Sequence, residues 1–267
     1  MKRLLGTIAA VTTLALAAGC GSSGDDTTSG SGSGSSPSTS SGAVSGTVTV
    51  FAAASLTETF TTLGRQFEAA HRGTTVKFNF GASSSLAENI NQGAPADVFA
   101  SASPKNMQQV VDGGGATDPK TFADNVMQIA VPPDNPGNVT QLSDLSRPGL
   151  KVALCQPQVP CGTVAAQVFK NAKITVTPVT QGADVKSVLT TVELGEVDAG
   201  VVYRTDVRAA GTRVKGIEIP ADRNASTSYP IAPLADAPNA AGAAAFVDYV
   251  LSDDGEKVLA QAGFAAP

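Results

Sequence analysis

Short apolar runs alternate with segments of helical periodicity from residue 48 onward, and this alternation limits the folds available to the chain. The first run, residues 48–53, is followed by Leu56, Phe60, Leu63 and Phe67 at helical spacing. Further strand-like runs lie at residues 75–80, 97–100, 127–131, 151–154, 175–179 and 199–203. Further helical stripes lie at residues 86–90, 164–169, 185–192 and 240–262. Such alternation favours mainly parallel sheets covered by helices on both faces, so the sequence predicts an α/β fold.

Extended stretches near residues 125–131 and 228–234 separate two sets of strands and helices. This arrangement predicts two lobes joined by two hinge crossings, with the C-terminal helix returning to the first lobe. The predicted lobe 1 is 47–126 plus 230–267, and the predicted lobe 2 is 127–229.

The N-terminal segment, residues 1–20, has the layout of a secretory signal peptide. Lys2 and Arg3 precede an apolar run that is too short to span a bilayer, and small residues then lead to Cys20. This ending resembles the bacterial lipobox, whose cysteine becomes the lipidated first residue of the mature protein. We therefore expect export and anchoring to the outer face of the cell membrane through Cys20; the alternative is a soluble signal with an incidental cysteine.

Residues 21–46 consist almost entirely of Ser, Gly and Thr. No apolar cluster offsets the entropy of ordering this stretch, so it predicts a disordered linker.

The charge distribution argues against nucleic acid as a partner. The formal net charge is -5, and no predicted helix carries a cluster of lysine or arginine. An anion bound by such a chain must be held by local donors.

Serines at the starts of predicted helices are the first candidates for such donors. Ser55 with Glu58 and Ser85 with Glu88 have the spacing of a capping box, which is usually structural. Several helix N-termini that converge would instead form an anion site, because each presents unpaired N–H groups and a partial positive charge.

Six segments in order resemble the molybdate-binding proteins of molybdate ABC transporters, over about residues 47–267. They are Phe-Ala-Ala-Ala-Ser-Leu at 51–56, Phe-Gly-Ala-Ser-Ser-Ser-Leu-Ala at 80–87, the stretch 92–102, Val-Pro-Cys-Gly at 159–162, Ala-Asp-Val-Lys at 183–186 and Gly-Val-Val-Tyr at 200–203. The resemblance implies a two-lobed periplasmic-binding-protein fold and no enzymatic activity. It further implies a monomer that delivers molybdate or tungstate to an ABC transporter permease in the membrane.

The same resemblance implies five ligand-binding residues, two from lobe 1 and three from lobe 2. They are Ser55, Ser83, Cys161, Val185 and Tyr203. The serines would donate hydroxyl and backbone N–H bonds, Cys161 and Val185 backbone N–H bonds, and Tyr203 a hydroxyl bond. Ser84 is an alternative to Ser83. Cys161 stands where the family usually has a small residue such as alanine, a change that a backbone donor tolerates.

A donor-only set suits a dianion that carries no proton, because the oxygens of such an ion can only accept. A phosphate site would be expected to add a carboxylate acceptor, and none is in the set. Asp184 is expected to cap the helix that follows it, and Asp97 to be structural. The sequence thus predicts no cofactor and no free metal cation.

Cys155 and Cys161 flank a proline-containing loop in a chain expected to reach an oxidising compartment. A disulfide is expected, with two reduced thiols as the alternative. The pair makes a poor zinc site because further ligands are missing.

Three other functions remain as alternatives. A binding protein of the same fold could take another ligand, such as sulfate, since fold does not fix function. A secreted serine hydrolase would need a base beside its nucleophile, and the only histidine, His71, lies at the polar end of a predicted helix. A surface adhesin would have no small-molecule site.

Overall fold

The computed structural model describes residues 44–267, which alternate between strands and helices along most of their length. Its strands are Gly46–Ala53 (β1), Thr74–Gly81 (β2), Val98–Ala100 (β3), Lys120–Val131 (β4), Val152–Cys155 (β5), Thr180–Gly182 (β6), Ala199–Tyr203 (β7), Lys215–Ile217 (β8) and Ser226–Pro233 (β9). Its α-helices are Thr57–Ala70 (α1), Ser83–Asn91 (α2), Pro104–Asp112 (α3), Pro160–Ala172 (α4), Val185–Glu193 (α5), Arg204–Ala210 (α6), Ala240–Val250 (α7) and Asp253–Ala262 (α8). Short 3-10 turns lie at Ala54–Leu56, Leu142–Ser146 and Gly211–Arg213.

The predicted signal peptide, Cys20 and most of the predicted linker lie outside the described residues. Within 44–267, the helices are all too short or too polar to cross a bilayer.

The first sheet has the strand order β2-β1-β3-β9-β4. β1 is parallel to β2 and to β3, whereas β9 is antiparallel to both of its neighbours, β3 and the first part of β4. Four of its strands therefore share one direction, and β9 opposes them.

Both faces of the first sheet are covered, as the alternation of apolar side chains along β1 requires. Val48 and Val50 point to the face under α1, α7 and α8, where Phe60 and Phe246 are fully buried. Phe51 points to the opposite face and packs with residues of α2 and α3. The predicted apolar stripe of α1 is confirmed, because its four residues all have no exposed surface.

The second sheet begins where β4 continues past Val126. There β4 pairs antiparallel with β7 and β8, and β5 lies parallel between β6 and β7. Ile129 and Val201 form its centre, with Val168 of α4 and Val188 of α5 packed in the same cluster. The α/β prediction is thus confirmed: each sheet is mixed, with four strands in one direction and one opposing strand.

Two predicted elements differ from those observed. Residues 175–179 form no strand. Val179 N–H donates to the Val152 carbonyl of β5, and the strand β6 begins at the next residue, Thr180. Pro178 has no N–H to donate, and its neighbours are exposed. The predicted helix 240–262 is two helices. Ser252 accepts a bond from Gly255 N–H and caps α8, whose first turn carries three acidic residues.

Elements that the periodicity did not reveal include α3, which begins at Pro104 in the first helical position. The other elements that were not predicted are α6, β8 and β9. Strand β9 occupies the stretch that was predicted to be the second hinge crossing between the lobes.

Candidate functional site

A small cavity lies where six chain segments meet at the carboxyl ends of β1, β2, β3, β5, β6 and β7. Its volume is about 20 Å³, far below the range of about 300 to 1,000 Å³ typical of drug-sized ligands. The lining residues are Ala53, Ala54, Ser55, Gly81, Ala82, Ser83, Ala102, Val159, Pro160, Cys161, Asp184, Val185 and Tyr203. The structure therefore brings all five sequence-predicted ligand residues to one cavity.

Ser55 reaches this cavity from the 3-10 turn between β1 and α1. Its side chain is buried, and its Oγ lies 2.9 Å from the hydroxyl of Tyr229. The expected capping box with Glu58 is wrong, because Leu56 is the N-cap of α1 and no side chain caps it. The turn intervenes and frees the Ser55 hydroxyl for other bonds.

Ser83 is the first residue of α2 and is buried in the cavity wall. Its Oγ accepts a hydrogen bond of 2.9 Å from Ala102 N–H. Ser84 lines a different groove, and Ser85 is exposed inside the helix, so the predicted capping box of Ser85 with Glu88 is wrong. The helix starts three residues earlier than that spacing requires, since its N-cap is Ala82.

The N-terminus of α4 supplies Cys161. Pro160 occupies the first helical position and has no N–H, so Cys161 offers the first free N–H of the helix. The predicted disulfide is present, joining Cys155 and Cys161 with Cα atoms 5.8 Å apart. A Cβ on Gly162 would lie 2.0 Å from the Gln156 carbonyl oxygen, so the loop needs glycine to close this tightly.

The N-terminus of α5 supplies Val185, which is its first residue. The predicted capping role of Asp184 is confirmed, because its Oδ1 accepts from Ser187 N–H at 2.8 Å. The carboxylate is thereby engaged with its own helix. The structural role expected of Asp97 is confirmed as well, since Asp97 accepts from Thr49 N–H at 2.7 Å and Asn239 N–H at 2.6 Å.

Tyr203 ends β7 and is almost completely buried. Its hydroxyl has no hydrogen-bond partner within residues 44–267, which is a costly state for a buried polar group. Burial, and the nearby Tyr229, raise the pKa of the Tyr203 hydroxyl well above its ordinary value. The group therefore stays protonated and able to donate at physiological pH.

The charged side chains of Lys186, Glu58 and Asp206 flank the cavity without lining it. Lys186, in the first turn of α5, lies 2.8 Å from Oε2 of Glu58 and 3.0 Å from Oδ1 of the buried Asp206. Burial acts to lower the pKa of Lys186, but the Asp206 and Glu58 carboxylates outweigh it and the pKa is raised. Lys186 is thus a cation already neutralised by protein carboxylates.

The cavity therefore presents serine and tyrosine hydroxyls together with N–H groups at the starts of α2, α4 and α5. No lysine or arginine lines it, and Asp184, the one carboxylate among the lining residues, already accepts from its own helix. Such a set can hold an anion whose oxygens only accept. In the part of the chain that the structure describes, no three His, Cys, Asp or Glu side chains cluster as metal ligands would.

A serine hydrolase gains no support from this geometry. His71 is not among the cavity's lining residues, and its ring packs on Phe67 with centroids 4.3 Å apart. No base of the kind that activates a serine nucleophile lines the cavity.

Residues behind the cavity were missed from the sequence. Tyr229 and Asn125 are buried and form hydrogen bonds that reach Ser55. Neither residue belongs to a recognisable sequence motif, and only the pairing of β4 with β9 brings both beside the cavity.

Comparison with known proteins shows consistent matches. Residues 48–265 match the family model described as bacterial extracellular solute-binding protein. The chain is 40% identical over 222 residues to the molybdate-binding protein ModA of Mycobacterium tuberculosis, covering 83% of this chain and 85% of the relative. It is 32% identical over 265 residues to a putative ABC transporter substrate-binding lipoprotein, YvgL, of Bacillus subtilis, covering 97% of this chain and 96% of the relative.

Among solved structures, the periplasmic molybdate-binding protein of Azotobacter vinelandii superposes with a TM-score of 0.74. The sequences are 20% identical, and the match covers 82% of this chain and 99% of that one. This likeness confirms the predicted periplasmic-binding-protein fold.

Proposed function

Because the chain belongs to the bacterial extracellular solute-binding protein family, we propose that it captures molybdate outside the cytoplasm and delivers it to an ABC importer. The family and the relatives are transport proteins that bind substrates, so the chain is not an enzyme. The resemblance to molybdate-binding proteins is confirmed at the level of the whole extracytoplasmic part.

The observation that carries the proposal is the donor set of the cavity. Ser55, Ser83 and Tyr203 supply hydroxyls, and Cys161 and Val185 supply N–H groups at helix starts. The unpartnered Tyr203 hydroxyl supports the assignment, because an anion oxygen would satisfy it. Tungstate has nearly the same size and charge as molybdate, so the same donors should hold it.

Closure of two lobes around the anion is part of this proposal. Ser55 and Ser83 follow strands of the first sheet, whereas Cys161, Val185 and Tyr203 follow or end strands of the second. We place the lobes at 47–126 plus 230–267 and at 127–229, with crossings along β4 and along β9. An anion held by both sets favours the closed arrangement through contacts that the open one lacks.

Attachment to the membrane completes the proposed function. The mature protein would be a monomer whose lipidated Cys20 holds it to the outer face of the cell membrane, beside the ABC permease that takes its ligand. Similarity to a putative lipoprotein along nearly the whole chain supports this view. Replacing Cys20 by Ser should release the protein into the medium or leave an unprocessed precursor, and unchanged retention with normal processing would contradict the anchor.

Isothermal titration of the soluble part, residues 44–267, with molybdate, tungstate, sulfate and phosphate tests the ligand. We expect tight binding of molybdate and tungstate and much weaker binding of the two smaller anions, because donors fixed on two lobes cannot all reach a smaller tetrahedron. Sulfate binding as tight as molybdate binding would assign the site to sulfate instead. No binding of any of the four would overturn the proposed function.

A further inference from the structure

A chain of buried hydrogen bonds leads from β4 to the cavity, and its donors and acceptors can be assigned by chemistry. Asn125 Oδ1 accepts from Val126 N–H at 3.0 Å, which fixes the orientation of the amide. The amide nitrogen therefore faces the other way, towards Thr205 Oγ1 at 2.9 Å and Tyr229 Oη at 3.4 Å. Since this nitrogen can only donate, Tyr229 is the acceptor of that bond.

Tyr229 then has its own proton free for Ser55. Its side chain is fully buried, and its Oη lies 2.9 Å from Ser55 Oγ. Burial raises the pKa of Tyr229, so the hydroxyl keeps its proton throughout the physiological range. With the Asn125 amide donating on one side, Ser55 Oγ is the one acceptor within hydrogen-bond distance of the Tyr229 hydroxyl among residues 44–267, and we therefore assign Ser55 as the acceptor.

A serine that accepts from behind must turn its own proton elsewhere. No further hydrogen bond of the Ser55 side chain exists among residues 44–267, and the residue lines the cavity. Its proton is therefore directed into the cavity. Ser83 is oriented by the same logic, because its Oγ accepts from Ala102 N–H, a group that can only donate.

We propose that Tyr229 and Asn125 are positioning residues that hold the Ser55 hydroxyl as a donor to the ligand, so that the cavity rejects oxyanions carrying a proton. The inference rests on the proposed function, because it concerns the same anion site. It concerns residues that do not touch the ligand themselves.

The consequence is selectivity by protonation, separate from selectivity by size. Sulfate and monohydrogen phosphate are tetrahedral dianions of similar size, but phosphate carries a proton that needs an acceptor. A cavity whose two serine hydroxyls are held as donors offers that proton no serine oxygen, and an unmet buried donor costs about 1 to 3 kcal/mol. Releasing Ser55 from Tyr229 lets its hydroxyl turn and accept.

Tyr229→Phe tests the idea, with Tyr249→Phe as its matched control. The Tyr249 hydroxyl donates to Gln66 at 2.9 Å, and neither residue lines the cavity. Asn125→Leu is a second variant that removes the amide donor and keeps Tyr229, in case the first variant folds poorly. Thermal unfolding without ligand establishes that each variant is folded.

Molybdate affinity is measured by direct titration, and sulfate and phosphate affinities by competition in mildly alkaline buffer, where phosphate is mainly monohydrogen. We expect Tyr229→Phe to lower molybdate affinity about three- to tenfold, and to lower the ratio of sulfate to phosphate affinity about tenfold. Asn125→Leu should shift the ratio in the same direction, and Tyr249→Phe should leave both quantities unchanged.

A loosened fold would weaken sulfate and phosphate binding alike, so an unchanged ratio in folded Tyr229→Phe and Asn125→Leu overturns the inference. Phosphate binding that stays undetectable in both variants, while molybdate still binds, overturns it too. Failure of the wild-type protein to bind molybdate is a different result, which rejects the proposed function itself.

Discussion

Lys186 Nζ in α5 lies 2.8 Å from Glu58 Oε2 in α1, and this ion pair joins helices that pack on different sheets. The Glu58 side chain is half exposed, whereas that of Lys186 is mostly buried and also contacts Asp206. The pair spans the two sides of the anion cavity. In the proposed closure of two lobes, it should therefore stabilise the closed arrangement more than either lobe alone.

Replacing Glu58 by Gln should weaken molybdate binding about two- to fivefold, because an exposed ion pair contributes less than about 1 kcal/mol. The effect should shrink in high salt. Glu193→Gln is the matched control, since Glu193 pairs with Arg213 on one side of the cavity only. Calorimetry at low and high salt measures both variants, and equal losses in the two would show that the Glu58 pair plays no part in closure.

Removing a neutral donor should weaken binding more than removing that ion pair. Tyr203→Phe or Ser55→Ala should each cost about 1 to 3 kcal/mol, or roughly five- to a hundredfold in molybdate affinity. Wild-type affinity should change little with salt, because the cavity holds no free cation among its lining residues. Titration of both variants and of Tyr249→Phe checks this, and indifference to both substitutions would place the anion elsewhere.

The disulfide should stabilise the loop that presents Cys161. Its bridge closes a short loop, so replacing both Cys155 and Cys161 by Ala should cost about 2 kcal/mol of unfolding free energy and lower molybdate affinity. Denaturant unfolding and calorimetry measure the two effects. A reducing agent should reproduce them in the wild type and leave the double variant unchanged; two reactive thiols in the native protein would show that the bridge does not form.

Alkaline pH should destabilise the fold through its buried tyrosines. Burial raises the pKa of Tyr203 and Tyr229, so the unfolded chain releases their protons near pH 10.0 while the folded chain keeps them. Their contribution to the free energy of unfolding is therefore fully present below that pH and is lost as the pH rises towards the pKa of the folded state. Denaturant titrations from about pH 7 to pH 11 should show a steep fall above pH 10 that is shallower in Tyr229→Phe. The same slope in both proteins would contradict the assignment.

Helices with a clear apolar stripe, such as α1 and α5, were predictable because their signals are local. The apolar side chains of α1 recur with a period of 3.6 residues. Asp184 marks the start of α5 because aspartate commonly accepts a hydrogen bond from the first free N–H groups of a helix. The five cavity residues came from resemblance in sequence, since no local rule distinguishes Ser83 from Ser84. The structure places only the first of these two serines in the cavity.

The hydrogen bonds behind the cavity could not be predicted in this way. Ser55 and Tyr229 are 174 positions apart, and they meet only because β9 inserts antiparallel between β3 and β4. Periodicity shows that a segment is apolar and extended, but it does not give the order of strands in a sheet. The ion pair between Glu58 and Lys186 could not be predicted for the same reason.

The position of β9 also sets the order in which the chain can assemble. The strands of the second sheet come from one continuous stretch, residues 127–217, whereas β3 and β4 of the first sheet are bridged by residues 226–233. Phe99 of β3 pairs with Ala232 of β9, so this contact joins residues that are 133 positions apart in the sequence. Contacts of such separation form slowly. During synthesis the second sheet is therefore complete in sequence before the first can close. A chain arrested ahead of Ser226 would leave β3 and β4 with unpaired edges, which favour aggregation.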